Sequence, residues 1–231
     1  MIKYMREVDM KILIFYGSFG GGHLSAAKSI KEYIEQNYSG HETLVVDCVE
    51  YVNKAVNKIS TKAYEEMAKT APKLWGKVYE KAQSGYLAKA TNISNYIMAQ
   101  KLNSLFSTYS PDLVISTHPF ATQMSAVIRR HKKRIFKIAT VLTDYAPHEQ
   151  WLVDSAYSSY FFVAHEKMKQ DLIATGIDEY KVHATGIPLS NKFLQNYNKQ
   201  EILNTFNLEE GKFTVLFFAG GELGLRKKQY I

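Results

Sequence analysis

The segment Gly17-Ser18-Phe19-Gly20-Gly21-Gly22-His23 brings four glycines and one histidine into seven positions, between an apolar run and a helix-period stretch. Glycines let the main chain come close to a ligand and adopt positive φ. A helix N-terminus offers unpaired N–H groups and the positive end of its dipole, so this loop is expected to hold an anion. The missing residues narrow the choice. Gly17 and Gly22 have the spacing of a P-loop, yet His23-Leu24 stands where Lys-Ser/Thr would grip the terminal phosphates and magnesium. A dinucleotide fingerprint fails as well, because Ser25 occupies the position of its last glycine or alanine. What is left is a glycine turn presenting a histidine. In the first helical turn the dipole disfavours imidazolium, which keeps His23 neutral and able to take a proton. A general base placed in this way is worth roughly 10²- to 10⁴-fold in rate. The plainer alternative is a histidine that caps the helix or fills space.

The elements that must carry this loop follow from periodicity. Lys11 to Tyr16 reads as a buried strand, and Leu24, Ala27, Ile30 and Ile34 form one apolar stripe on a helix running to Tyr38. Further strands are expected at Thr43 to Val49, Leu113 to Thr117, Ile135 to Thr143, Tyr160 to Ala164 and Lys181 to Ala184. Helices are expected at Phe120 to His131 and at Glu166 to Thr175, the latter stopped by Gly176. Alternating strands and helices of this length predict an α/β fold, a Rossmann-like parallel sheet with helices on both faces.

Composition bounds the rest. At 231 residues, 46% hydrophobic and 22% charged, the chain is large enough for a sizeable core and does not read as disordered. A single cysteine, Cys48, excludes an internal disulfide framework and a cysteine zinc cage. Neither an apolar run long enough to span a bilayer nor a signal-peptide core is visible, so a soluble cytoplasmic protein is expected. The net charge of +7 favours phosphate-rich partners. Much of the excess lies in Arg129, Arg130, Lys132, Lys133, Arg134 and Lys137. That cluster reads either as a helix C-terminus meeting its dipole or as a surface for anions. No helix-turn-helix, zinc-finger or RNA-binding motif accompanies it, so nucleic acid is not an expected partner.

Two stretches break the rhythm. Residues 50–107 hold no convincing strand but carry Lys54, Lys58, Lys62, Lys69, Lys73, Lys77 and Lys81, interleaved with Trp75, Tyr79 and Tyr86-Leu87. They suit helices interrupted at Pro72 that lie at a membrane interface, or a helical excursion packed on its own domain. After a linker expected at 191–211, Phe213 to Phe218 reads as a new strand running into Ala219-Gly220-Gly221-Glu222-Leu223-Gly224. A lone strand cannot bury its faces, which favours the start of a second domain cut short.

The motif Gly-Ser-Phe-Gly-Gly-Gly-His with Ser25-Ala26-Ala27 resembles the start of monogalactosyldiacylglycerol synthases and processive diacylglycerol glucosyltransferases. Ala139 to Tyr145 with Trp151 downstream, Gly176-Ile177-Asp178 with Val182 to Pro188, and Phe213 to Gly221 continue the resemblance. It implies the N-terminal half of a GT-B glycosyltransferase: an acceptor-binding domain over 10–190, a linker over 191–211, and the first strand and glycine loop of an incomplete donor domain over 212–231.

The resemblance further implies inverting transfer of a hexose from UDP-glucose or UDP-galactose to diacylglycerol, at an anionic membrane surface on the inner face of the cell membrane. The UDP-sugar is a substrate, and no cofactor or metal is implied. On this reading His23 assists deprotonation of the acceptor hydroxyl, while Gly20, Gly21 and Gly22 line the cleft. Asp144 orients His23, binds an acceptor hydroxyl, or simply caps the following loop. His118, His148 and Trp151 are expected along the cleft, and Gly220 and Gly221 on the donor side. A competing reading keeps the loop and the basic patches in a non-catalytic lipid- or anion-binding Rossmann module.

Overall fold

The structure, a computed structural model, describes residues 9–18, 21–52, 98–132 and 134–216. Six parallel strands form one sheet: β1 (Lys11–Tyr16), β2 (Glu42–Asp47), β3 (Leu113–Ser116), β4 (Lys137–Val141), β5 (Tyr160–Val163) and β6 (Val182–Ala184). Their order is β2-β1-β3-β4-β5-β6. The parallel α/β fold expected from the alternating pattern is the one observed.

Residues alternate to opposite faces along each strand. In β1, Ile12 and Ile14 join Ile115, Ala139 and Val141 on one face, where Ala27, Ile30 and Ile34 of α1 (Gly21–Asn37) pack. Leu13 and Phe15 face the other way, with Val114 and Ile138. There they meet Cys48 and Val52 of α2 (Cys48–Val52), Leu102 and Phe106 of α3 (98–109), and Met124 and Ile128 of α4 (Pro119–Lys132). Phe161, Val163 and Val182 carry the packing across to Met168 and Leu172 of α5 (Glu166–Ala174). Burying a side chain such as Leu13 or Phe15 contributes roughly 1.5–3 kcal/mol. Being covered on both faces is why β1 reads as an unbroken apolar run.

Helix ends follow local chemistry. Pro119 is the first residue of α4, where its missing N–H is harmless. His165 accepts from the Met168 N–H and caps α5, and Gly176 (φ 95°) closes it in the left-handed region. The stretch expected as a linker is partly helical: a 3-10 turn spans Asn191–Leu194, and α6 spans Lys199–Thr205 with Asn198 as its cap. Ser190 and Asn191 bond to Glu32 and Gln36, tying this stretch to α1.

The strand expected at Phe213 to Phe218 is not present over its described part. Residues 213–216 join no sheet, and Phe213 is 95% exposed. A strand needs a neighbour for its main-chain groups, and the described sheet ends at β6. Phe217, Phe218, Gly220 and Gly221 lie outside the described residues, as do the lysines and aromatics singled out between 54 and 87.

The basic run is largely engaged by its own domain. Arg129 Nη1 donates to the Tyr157 carbonyl at 2.6 Å, and Arg130 pairs with Asp154 at 3.1 Å. Arg134 donates to the Phe106 carbonyl and to Ser107, and the Lys137 ammonium lies over the ring of Tyr160. The run also sits beside the amino end of β4.

Candidate active site

From β1 the chain leaves one way to reach β2 and later returns to place β3 on the other side. This reversal opens a crevice at the carboxyl ends of β1 and β3, where parallel α/β sheets bind ligands. Three chain segments converge there: the turn from β1 into α1, Thr117-His118 after β3, and Thr143-Asp144 after β4.

His23 occupies the first turn of α1 and is half-buried. Its Nδ1 lies 2.5 Å from the Thr117 carbonyl oxygen and 2.9 Å from Thr143 Oγ1. A carbonyl oxygen only accepts, so Nδ1 carries the hydrogen and the lone pair is on Nε2. Burial lowers the pKa of His23 below its ordinary 6.5, against the opposing effects of the Thr117 carbonyl and the Asp144 charge. The ring is therefore neutral at neutral pH, with one basic nitrogen.

His118 lies against His23, ring centroids 4.7 Å apart in an edge arrangement. Its Nδ1 accepts from the Phe120 N–H at 3.2 Å and so caps α4. Burial first, then the proximity of His23, push its pKa well below the ordinary value. At 5% exposure it supports the ring of His23 rather than lining open space.

Asp144 accepts from Trp151 Nε1 at 2.8 Å and lies 3.4 Å from His148 Nε2. Burial raises its pKa, but the bonds from His148 and Trp151 outweigh this and hold the carboxyl below its usual range. Trp151 is fully buried beneath the loop, among Leu142, Phe161 and Leu172. His148 Nδ1 is buried and lacks a hydrogen-bond partner among the described residues. The four side chains His23, Asp144, His148 and Trp151 thus meet at the carboxyl edge. The ring of His23 is held by Thr117 and Thr143, and Asp144 acts on it through its charge.

Gly21 and Gly22 are exposed at the start of α1, and a Cβ at either would meet no atom within 4 Å. Neither they nor Gly17 uses positive φ. Gly17 is needed for space: a Cβ there would come within 2.9 Å of the His118 ring. Gly20 lies outside the described residues.

Sequence reasoning missed Thr117 and Thr143 as partners of His23, and Asp47, which accepts from Ser18 of the glycine turn and caps α2 through Val49 and Glu50. Their one visible signal is position at or just beyond the carboxyl ends of β2, β3 and β4.

A sequence model of the family described as monogalactosyldiacylglycerol (MGDG) synthase matches residues 23–189. The chain belongs to this family. Processive diacylglycerol beta-glucosyltransferases of Staphylococcus aureus strains JH9 and Newman are each 32% identical to it over 213 residues, covering 92% of this chain and 53% of theirs. The MGDG synthase family member described here therefore spans about half the length of the curated relatives it matches. The fold also resembles the S. aureus MnaA-UDP co-structure, with a TM-score of 0.50 and 12% identity over 86% of this chain and 51% of that one. At that identity the likeness speaks to the fold. Among the described residues, no helix is long and apolar enough to cross a membrane.

Proposed function

We propose that this chain forms the acceptor side of an inverting glycolipid glycosyltransferase that moves a hexose from a UDP-sugar to diacylglycerol at a membrane surface. The observation that carries this reading is the hydrogen bond from His23 Nδ1 to the Thr117 carbonyl, which puts the lone pair on Nε2. In the proposed reaction Nε2 takes the proton of the acceptor hydroxyl as that oxygen forms a bond to the anomeric carbon. The bond from that carbon to the UDP oxygen breaks in the same displacement, inverting the configuration. The nearby carboxylate of Asp144 favours the imidazolium that forms. N–H groups at the start of α1 supply positive potential for the departing diphosphate. The name of the staphylococcal relatives favours glucose over galactose as the sugar. Gly220 and Gly221 would contribute to the donor side.

The membrane assignment rests on family membership and on basic residues, each of which adds up to about 1 kcal/mol near an anionic surface. Within the cluster at 129–137, Arg129, Arg130, Arg134 and Lys137 make contacts within the domain, at the amino end of β4 and away from His23. We take the lysines at 54–81 as the proposed contact, with the protein peripheral on the cytoplasmic face. Reversing Lys73, Lys77 and Lys81 to Glu should weaken co-sedimentation with anionic liposomes; unchanged binding would remove this assignment.

The deciding experiment measures transfer of radiolabelled glucose or galactose from UDP-sugar to diacylglycerol in mixed micelles. It compares this chain, a form joined to the C-terminal half of a staphylococcal relative, and His23→Ala in both. Activity that depends on His23 supports the proposal. Activity in none of them, with liposome binding retained, would overturn it in favour of a lipid-binding module.

A further inference from the structure

We propose that Thr117 and Thr143 are positioning residues that hold His23 in one tautomer and one ring orientation, a task usually given to a carboxylate. The inference rests on the reading of His23 as the base. Thr117 grips His23 at two points: its carbonyl accepts from Nδ1, and its hydroxyl donates to the His23 main-chain carbonyl at 2.9 Å. Thr117 is itself fixed to β1 through its N–H, which donates to the Phe15 carbonyl at 3.0 Å. One residue thus ties the ring and the main chain of His23 to the end of β1. Thr143 Oγ1, at 2.9 Å, adds a second oxygen on the Nδ1 side.

Among the described residues, the carboxylate whose charge acts on His23 is engaged elsewhere. Asp144 accepts from Trp151 and faces His148, with no hydrogen bond to His23. Among the described residues, the charged and titratable groups around His23 are Asp144, His148 and His118. Orientation by two neutral oxygens favours imidazolium less than a bonded carboxylate would. The base therefore remains neutral while its accepting nitrogen is fixed. A general base with a mobile ring loses much of the benefit of placement, because small misplacements cost on the order of tenfold to a hundredfold in rate.

The test uses 15N-histidine-labelled chain and the two-bond correlation pattern of each imidazole, with His23 assigned by its disappearance in His23→Gln. In the wild type, Nδ1 should appear protonated and Nε2 unprotonated. Thr143→Val keeps the volume but removes the oxygen, and should shift and broaden the His23 ring signals while Nδ1 stays protonated by its bond to the Thr117 carbonyl; Thr143→Ser should restore the wild-type pattern. Circular dichroism confirms that each variant is folded, and Thr117→Val with Thr117→Ser provide a second pair. In the form joined to a C-terminal half, Thr143→Val should lower kcat about tenfold with little change in KM. A wild-type spectrum with Nε2 protonated would overturn the proposal, and so would a folded Thr143→Val identical to wild type. Failure of His23→Ala to reduce transfer would instead overturn the role of His23 as base, so the two failures are distinguishable.

Discussion

The indole N–H of Trp151 donates to the carboxylate of Asp144 at 2.8 Å, from a ring that is otherwise fully buried. One residue thereby anchors the 144–151 loop to the core and fixes the charge beside His23. The loop is tied a second time by Gln123, which reaches from α4 to the Gln150 carbonyl at 2.6 Å. Trp151→Phe should keep most of the packing while breaking the bond to a charged acceptor. The expected loss is about 2–3 kcal/mol in urea unfolding. The Asp144 carboxyl should also titrate at higher pH, as followed by carboxyl-carbon NMR. An unchanged Asp144 titration would show that the indole does not hold this charge.

Gly17→Ala tests the space beneath His23. The added Cβ would lie 2.9 Å from Cδ2 and 3.0 Å from Cγ of the His118 ring, which is buried and unable to yield freely. Overpacking of this kind costs about 1–3 kcal/mol. A matching drop in stability is expected, together with a shifted His23 imidazole signal. Full stability in Gly17→Ala would mean that the strand end relaxes without moving the ring.

Acidification should destabilise the fold in two separate windows. The folded-state pKa values of His23 and His118 are depressed, mainly by burial, so the unfolded chain binds more protons as pH falls below 6.5. Their contribution is intact above that value and is lost on descent through the folded values. Asp144 is also depressed, and its contribution is lost only as pH falls below 3.8. The urea midpoint should therefore decline as pH falls below 6.5, and less so in His118→Asn. An equal decline in His118→Asn would assign the effect to other groups. Transfer that depends on neutral His23 should have its acid limb below 6.5.

Arg129 and Arg130 are adjacent but should respond very differently to replacement. Arg129 satisfies the Tyr157 carbonyl at 2.6 Å, and Arg129→Met should cost about 1–3 kcal/mol. Arg130 forms a pair with Asp154 nearer the surface, and Arg130→Met should cost at most about 1 kcal/mol. Parallel urea titrations separate them, and equal effects would contradict the structural role assigned to Arg129.

Much of the scaffold was legible because its signals are local. The limits of β1 were read from six consecutive residues, and α1 from a stripe of apolar positions. The end of α5 was visible in Gly176, whose left-handed conformation closes the helix. The carboxyl-terminal stretch was less legible. Asn198 caps a short helix that apolar periodicity does not reveal, and residues 213–216 join no sheet.

The sequence by itself determined that a glycine turn delivers a histidine to the first turn of a helix after a buried strand. It did so because strand, turn and helix propensities are set by neighbouring residues. Tertiary structure decided which nitrogen of that histidine is basic. The oxygen that settles it is the Thr117 carbonyl, 94 residues away in sequence, with the Thr143 hydroxyl, 120 residues away, beside the same nitrogen. They arrive only because parallel pairing sets β1, β3 and β4 side by side with their carboxyl ends at one edge. A hydrogen bond across that distance leaves no periodic trace in the chain, so its partners become visible only once the strand order is known.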